Sequence, residues 1–276
     1  MAWKIAIKRA AIGFVVVYVL SYILLIVLQK QLLFWPKKLP ADFPFHFDSP
    51  HEEIWLKAKD GQEINAIKIK TPYQKKGLVL YFHGNADNLQ RWGRYHHDFT
   101  DRGYDFFAID YRGFGKSKGD IDEEKYYSDA LMAYNWCLES ESSDSIIIYG
   151  RSLGTGIAAD LASKVPSRML LLETPYTSIK EVLDYYFIGL PSPSNYIRYG
   201  FNTMSYIPKI QVPIAAFHGT KDIIIPYQTT LPLQKMLEKD HLFVTIEGGG
   251  HKNLSHYTLF QSHLDQLLGN SLKKNQ

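Results

Sequence analysis

The sequence predicts an α/β fold with a mostly parallel, doubly wound sheet of about eight strands, preceded by one membrane-spanning helix. Three observations carry this. From about residue 50 onward, short and nearly continuous apolar runs alternate with longer amphipathic stretches, the pattern of strands buried on both faces between crossover helices. The first two runs instead alternate in period two around Asp60-Gly61, which reads as an antiparallel hairpin. Before them, Ala10 to Leu28 holds no charged residue, and at about 1.5 Å per residue this stretch spans roughly 28 Å, close to the hydrocarbon thickness of a bilayer.

Composition removes several function classes. The chain has 276 residues, 46% hydrophobic and 21% charged, which excludes disorder as its main state and allows one large domain besides the anchor. A net charge of +3, with no basic run interleaved with aromatics, leaves no nucleic-acid footprint. The single cysteine, Cys137, excludes an intramolecular disulfide and cysteine-cluster zinc or iron–sulfur sites. No metal or organic cofactor is implied, and the oligomeric state is not legible.

Residues 1–30 form a short tail and the anchor, with the span at about 10–28. Leu28 is followed by Gln29, Lys30 and Gln31 rather than by an Ala-x-Ala-like site, so an uncleaved, single-pass anchor is expected instead of a removed signal peptide. Lys4, Lys8 and Arg9 precede the span; Lys30, Lys37 and Lys38 follow it. The charge bias is nearly zero, but three cations in a nine-residue tail favour a cytoplasmic N-terminus and a domain on the non-cytoplasmic, periplasmic or luminal, side. Tyr22 and Trp35 are placed to sit at the interfaces. Pro36 and Pro40 end any continuing helix and make 31–50 a linker to a globular domain over 51–276.

Within that domain, strands are expected at 52–58, 64–70, 77–82, 104–109, 145–149, 168–173, 212–217 and 241–246. Helices are expected at 87–102, 121–140, 153–164, 227–239 and 254–268. The stretch 176–210 fits neither pattern. It intersperses Tyr176, Tyr185, Tyr186, Phe187, Ile188, Leu190, Tyr196, Tyr199 and Phe201 with Pro191 and Pro193.

In such sheets reactive groups collect at the carboxyl ends of the strands. After 145–149 comes Gly150-Arg151-Ser152-Leu153-Gly154, a G-x-S-x-G match between a strand and a helix, the context in which a tight turn lifts the serine hydroxyl above the sheet. After 77–82 comes His83-Gly84-Asn85-Ala86. Asn85, with Ala86 as the alternative, and Leu153 are the candidate backbone N–H donors to an oxyanion. His83 is expected to brace that loop. After 212–217 comes His218-Gly219-Thr220-Lys221-Asp222, and after 241–246 Glu247-Gly248-Gly249-Gly250-His251. The order Ser152, Asp222, His251 is that of a nucleophile-elbow triad, the imidazole taking the hydroxyl proton and the carboxylate orienting the imidazole.

Rivals remain at each position. Glu173, ending the 168–173 strand, is the substitute for Asp222. Asp110-Tyr111-Arg112-Gly113-Phe114-Gly115-Lys116-Ser117 lacks the spacing of a phosphate loop and reads as a packed turn at the site rim. His96 and His97 lie on an expected helix, where adjacent rings diverge, so a solvated face is expected rather than a metal site.

On these residues the chain resembles the α/β-hydrolase superfamily over about 50–270: the His83-Gly84-Asn85-Ala86 loop, the Asp110 to Gly115 turn, the Gly150 to Gly154 elbow, and the Asp222/His251 pair. With the anchor, it resembles membrane-anchored members. Some of these are protein depalmitoylases with a cysteine-rich N-terminus that this chain lacks. The resemblance implies an α/β-hydrolase fold in which 176–210 forms a small cap over the serine. The activity it implies is hydrolysis of an ester or thioester with an apolar acyl group, a lipid among the candidate substrates. A peptidase or amidase on the same machinery, and a non-catalytic binding protein on this fold, are the alternatives.

Overall fold

The structure, a computed structural model, describes residues 2–187, 189–238 and 240–269. Ile188 of the expected cap, Lys239 at the end of an expected helix, and the last residues of the expected 51–276 domain lie outside them.

Helix α1 (Ala2–Val27) contains the expected span and starts earlier, because no breaker separates Lys4, Lys8 and Arg9 from it. It is long and apolar enough to cross a membrane by length and composition, and none of its apolar window is buried against the protein. The backbone breaks at Leu28 (φ −100°, ψ 17°), and a short helix α2 (Gln29–Leu33) follows.

The stretch from residue 31 is not the free linker expected. Phe34 is 3% exposed, inside the main core, and stacks edge-on against Tyr199 at 4.9 Å. Strand β1 (Trp35–Pro36) runs parallel to β5 (Ala86–Asp87). Leu39 N–H donates to Gly115 O, and Phe45 is buried. The prolines end the helix as expected, but an extended strand needs no helix to dock. Burying one Phe contributes about 1.5–3 kcal/mol, enough to fix such a segment on the domain surface.

The other strands are β2 (His51–Lys57), β3 (Glu63–Ile69), β4 (Gly77–Phe82), β6 (Tyr104–Ile109), β7 (Ile146–Arg151), β8 (Met169–Glu173), β9 (Ile214–Gly219) and β10 (Leu242–Ile246). Among the described residues they form one eight-stranded sheet in the order β10-β9-β8-β7-β4-β6-β3-β2. Only β3 runs against its neighbours, as the hairpin pattern predicts. The order reverses between β4 and β7, so their carboxyl ends open a crevice at the switch point. Strands β4, β6 and β7 are buried along their whole length. Alternate residues feed two cores: Leu78, Leu80 and Phe82 enter one layer, Val79 and Tyr81 the other.

Most helices fall where expected: α5 (Glu123–Cys137), α6 (Gly154–Ala162), α9 (Tyr227–Leu237) and α10 (Thr258–Leu268). The expected helix at 87–102 is instead broken into α3 (Leu89–Trp92), a 3-10 turn (Gly93–His96) and α4 (His97–Thr100). A Cβ on Gly93 would stand 2.4 Å from the Phe47 ring. The docked N-terminal segment thus takes the space of a side chain there, and glycine inside a helix costs about 0.5–1 kcal/mol. The break also overturns the expectation for His96 and His97. Their rings lie 4.0 Å apart, and both Nε2 atoms meet the Asp48 carboxylate, at 3.1 and 2.8 Å. These contacts hold the Asp48 carboxyl down to about 2, chiefly through the His97 hydrogen bond.

Candidate active site

Ser152 sits between β7 and α6 with φ +53°, in the left-handed region that non-glycine residues enter only under constraint. The constraint is backbone packing. A Cβ on Gly154 would stand 2.1 Å from Phe82 O, and one on Gly150 2.5 Å from Gly154 O, so β4, β7 and α6 approach this closely only with glycine on both sides of the serine. Ser152 N–H donates to Glu173 O at 2.9 Å, tying the turn to β8.

The structure brings Ser152, His251 and Asp222 together. His251 Nε2 lies 2.9 Å from Ser152 Oγ, and His251 Nδ1 lies 2.8 Å from Asp222 Oδ2. A carboxylate only accepts, so Nδ1 carries the proton and Nε2 presents its lone pair to the hydroxyl. Asp222 Oδ1 accepts from Ile224 N–H at 2.9 Å and Ile225 N–H at 2.8 Å. Burial would raise the Asp222 carboxyl, but the His251 hydrogen bond and the Ile225 amide outweigh it and hold the group below the usual range. Beneath it, His218 donates from Nε2 to Ile225 O at 3.0 Å, and burial keeps its ring below the ordinary histidine value and neutral.

Glu173 does not reach His251. It is buried beneath the elbow, accepting from Tyr149 OH at 2.6 Å and pairing with Arg151 Nε at 3.3 Å. Arg151 fills a variable position of the G-x-S-x-G pattern, where sequence alone gives it no role. It is 3% exposed, lies 4.2 Å from the Tyr95 ring centroid, and donates to Lys252 O next to His251. One guanidinium therefore joins the elbow to the histidine loop. The pairing of Arg151 with Glu173 is visible in sequence only once β7 and β8 are known to be adjacent.

Asn85 and Leu153 line one cavity with Ser152. Leu153 begins the turn into α6 with φ −45° and ψ −43°, where the first amides of a helix have no intrahelical acceptor. Asn85 is clamped by the docked N-terminal segment: Trp35 N–H donates to Asn85 O at 2.9 Å, and Asn85 Nδ2 donates to Leu33 O at 2.8 Å. His83 braces the loop as expected. Its Nδ1 lies 2.7 Å from Gly84 O, its Nε2 lies 3.3 Å from Asp110 Oδ1, and Tyr111 OH donates to His83 O. The Asp110 to Ser117 turn is a buried packing element whose Arg112 pairs with Asp129 and Asp60.

The cavity measures about 360 Å³, within the range of small-molecule sites. The 176–210 stretch, which folds into α7 (Ile179–Tyr186), a 3-10 turn (Pro193–Tyr196) and α8 (Thr203–Tyr206), lines it through α7 and through Ile197, Tyr199 and Phe201. Two of its aromatics both pack the stretch onto the domain and line the cavity: Tyr176 and Phe201 are fully buried, and both face the cavity. A hydroxyl primed by an imidazole at the mouth of an apolar cavity can attack a carbonyl whose apolar part lies inside.

Residues 73–198 match the family model described as serine aminopeptidase, S33. The chain is 27% identical over 226 residues to alpha/beta hydrolase domain-containing protein 17B of Homo sapiens, covering 80% of this chain and 76% of the relative. It is 28% identical over 217 residues to the Xenopus laevis protein of that name, covering 77% and 73%. The fold is similar to that of an alpha-beta hydrolase from Vibrio vulnificus, with TM-score 0.66, 20% identity, and 79% of this chain covered against 80% of that one. It is also similar to the Pyrococcus furiosus esterase Pf2001, with TM-score 0.68, 16% identity, and 87% of this chain covered against 99%. In sequence the chain is similar to α/β-hydrolases, and its fold is the α/β-hydrolase fold.

Proposed function

We propose that the chain is a membrane-anchored serine hydrolase cleaving an ester or thioester with an apolar acyl group. Ser152 is the nucleophile, His251 the general base and then general acid, and Asp222 the group that orients the imidazole. The observation carrying this is the unbroken hydrogen-bonded series Ser152–His251–Asp222 at the mouth of an apolar cavity. Ser152 Oγ would attack the acyl carbonyl while its proton passes to His251 Nε2, and the backbone N–H groups of Asn85 and Leu153 would receive the oxyanion. His251 would then protonate the leaving alcohol or thiol. Water, deprotonated by the same nitrogen, would release the acid from the acyl-enzyme. In this reading α1 anchors the protein, with the Lys4/Lys8/Arg9 tail cytoplasmic and the hydrolase domain on the other side.

The family model's description favours an amide as the second reading. Ester and amide versions of one acyl group, offered to the same preparation, separate the two. Ser152→Ala is the primary test. It should abolish labelling by a fluorophosphonate probe and lower ester turnover by at least about 10³-fold with the fold retained. Labelling that persists in the variant would remove Ser152 from the role.

A further inference from the structure

The cavity beside Ser152 is only partly made by the hydrolase domain. One wall comes from the anchor itself: Leu25 in the last turn of α1, Gln29 and Leu32 on α2, and Phe34 behind them. Gln29 is 5% exposed although it follows a candidate membrane span by one residue. Its side chain accepts from Arg198 N–H at 2.7 Å and donates to Ile26 O at 2.8 Å, which locks the end of the span to the cap. The cap also descends along α1. Tyr22 packs against Tyr196 with ring centroids 6.2 Å apart, and Tyr18 OH donates to Pro191 O.

These contacts set the cavity's height relative to a bilayer. Leu25 lies inside the charge-free run, three residues from its end at Leu28, about 4–5 Å along a helix. If that run occupies hydrocarbon, the cavity wall lies at the level where acyl chains begin. The surface there matches such a setting: Leu32, Trp35 and Ile223, near the cavity mouth, are 46%, 58% and 84% exposed, and Leu190 and Tyr196 on the cap are 44% and 60% exposed. A protein surrounded by water seldom leaves so many large apolar side chains uncovered in one region.

We infer that the cavity is an acyl-chain site loaded from the membrane side, between α1/α2 and the cap, and that the substrate is a long-chain acyl ester or thioester resident in the bilayer. This rests on the serine hydrolase reading above. The carbonyl stays at Ser152 while the chain lies against Leu25 and Leu32, so the anchor is a wall of the site as well as a tether. Because Leu33 O and Trp35 N–H hold Asn85, the same segment that contacts the chain also positions the oxyanion loop.

The test uses the full chain in phosphatidylcholine nanodiscs with 4-methylumbelliferyl butyrate and palmitate. Wild type should prefer the palmitate. Leu25→Trp, which fills the membrane end of the cavity, should lower the palmitate-to-butyrate ratio of kcat/KM by at least about tenfold, since a hydrophobic pocket discriminates by roughly 10–200-fold per methylene-sized change. An unchanged ratio, or a wild type that turns over only butyrate, would overturn the acyl site while leaving the serine hydrolase standing. If neither ester is cleaved in a Ser152-dependent manner, both proposals fall. A second readout does not depend on how the variant folds. A palmitoyl fluorophosphonate with a diazirine at its chain end, bound to Ser152 and irradiated, should crosslink within residues 25–35, and crosslinks confined to α9 or α10 would overturn the inference. Palmitoyl glycerol and an S-palmitoylated peptide in the same discs separate a lipid source from a protein source. The variant should slow whichever is cleaved, and an unaffected rate on it would count against the site.

Discussion

Ser152 is held in a conformation that costs about 1–3 kcal/mol for a residue with a side chain, and three neighbouring strands and a helix hold it there. That local conflict makes the site readable. Glycines on both sides of a serine, between an apolar run and a helical run, are hard to account for except as a turn that must be tight. Asp222 and His251 each follow a strand end by a few residues. Arg151 and Glu173 are not readable in the same way, because their pairing depends on β7 lying beside β8. The two acids near the site separate cleanly by mutation. Asp222→Asn should cost on the order of 10³ to 10⁴ in kcat, because the imidazole loses its partner and its tautomer. Glu173→Gln should leave kcat within about tenfold but lower stability towards the bottom of the roughly 3–5 kcal/mol range for breaking a buried pair, since Gln still accepts from Tyr149 while Arg151 loses its counter-charge. Steady-state kinetics and denaturant unfolding on both variants check this, and reversed behaviour would move the acid to β8.

Among the elements, the eight strands of the main sheet are legible within two residues, six because buried strands leave apolar runs and the first two because a half-exposed hairpin alternates. The helix at 87–102 is not. Its break depends on Phe47 filling the space over Gly93, a contact made across more than forty residues of chain. The same reason hides the role of 31–50. A two-residue strand carries no periodic signal, and prolines read as a linker wherever tertiary packing is unknown. The structure turns that segment into part of the core, which a pair of substitutions can test. Phe34→Ala should destabilise the detergent-solubilised protein by about 3–5 kcal/mol, the usual cost of truncating a buried Phe. Trp35→Ala, next to it but 58% exposed, should cost less than about 1 kcal/mol because its strand hydrogen bonds are made by the backbone. Equal small effects from both, read by denaturant unfolding, would restore the linker.

On the scale of the whole molecule, α1 presents apolar side chains around most of its circumference: Phe14, Val15, Val17, Val19 and Leu20 are each at least 45% exposed, while the side bearing Tyr18 and Tyr22 meets the 176–210 stretch. An amphipathic surface helix would leave a polar face, and a core helix would be covered. A bilayer would remove this surface from water, and the helix of 26 residues, about 39 Å long, would exceed the hydrocarbon core and leave its lysine-bearing first turns beyond it. Two kinds of attachment then differ in how they are broken. Attraction between the flanking lysines and anionic headgroups is screened over about 3 Å at 1 M salt. Burial of a spanning helix is insensitive to charge screening, and carbonate does not reverse it. Membranes carrying the full chain should therefore retain it through 1 M salt and through alkaline carbonate, and release it only into detergent. Because α2 and β1 join α1 to the loop carrying Asn85, the detergent-released protein should keep Ser152 reactive towards a fluorophosphonate. Recovery of the chain in the carbonate supernatant would show that α1 does not span, and would return its apolar surface to some protein partner.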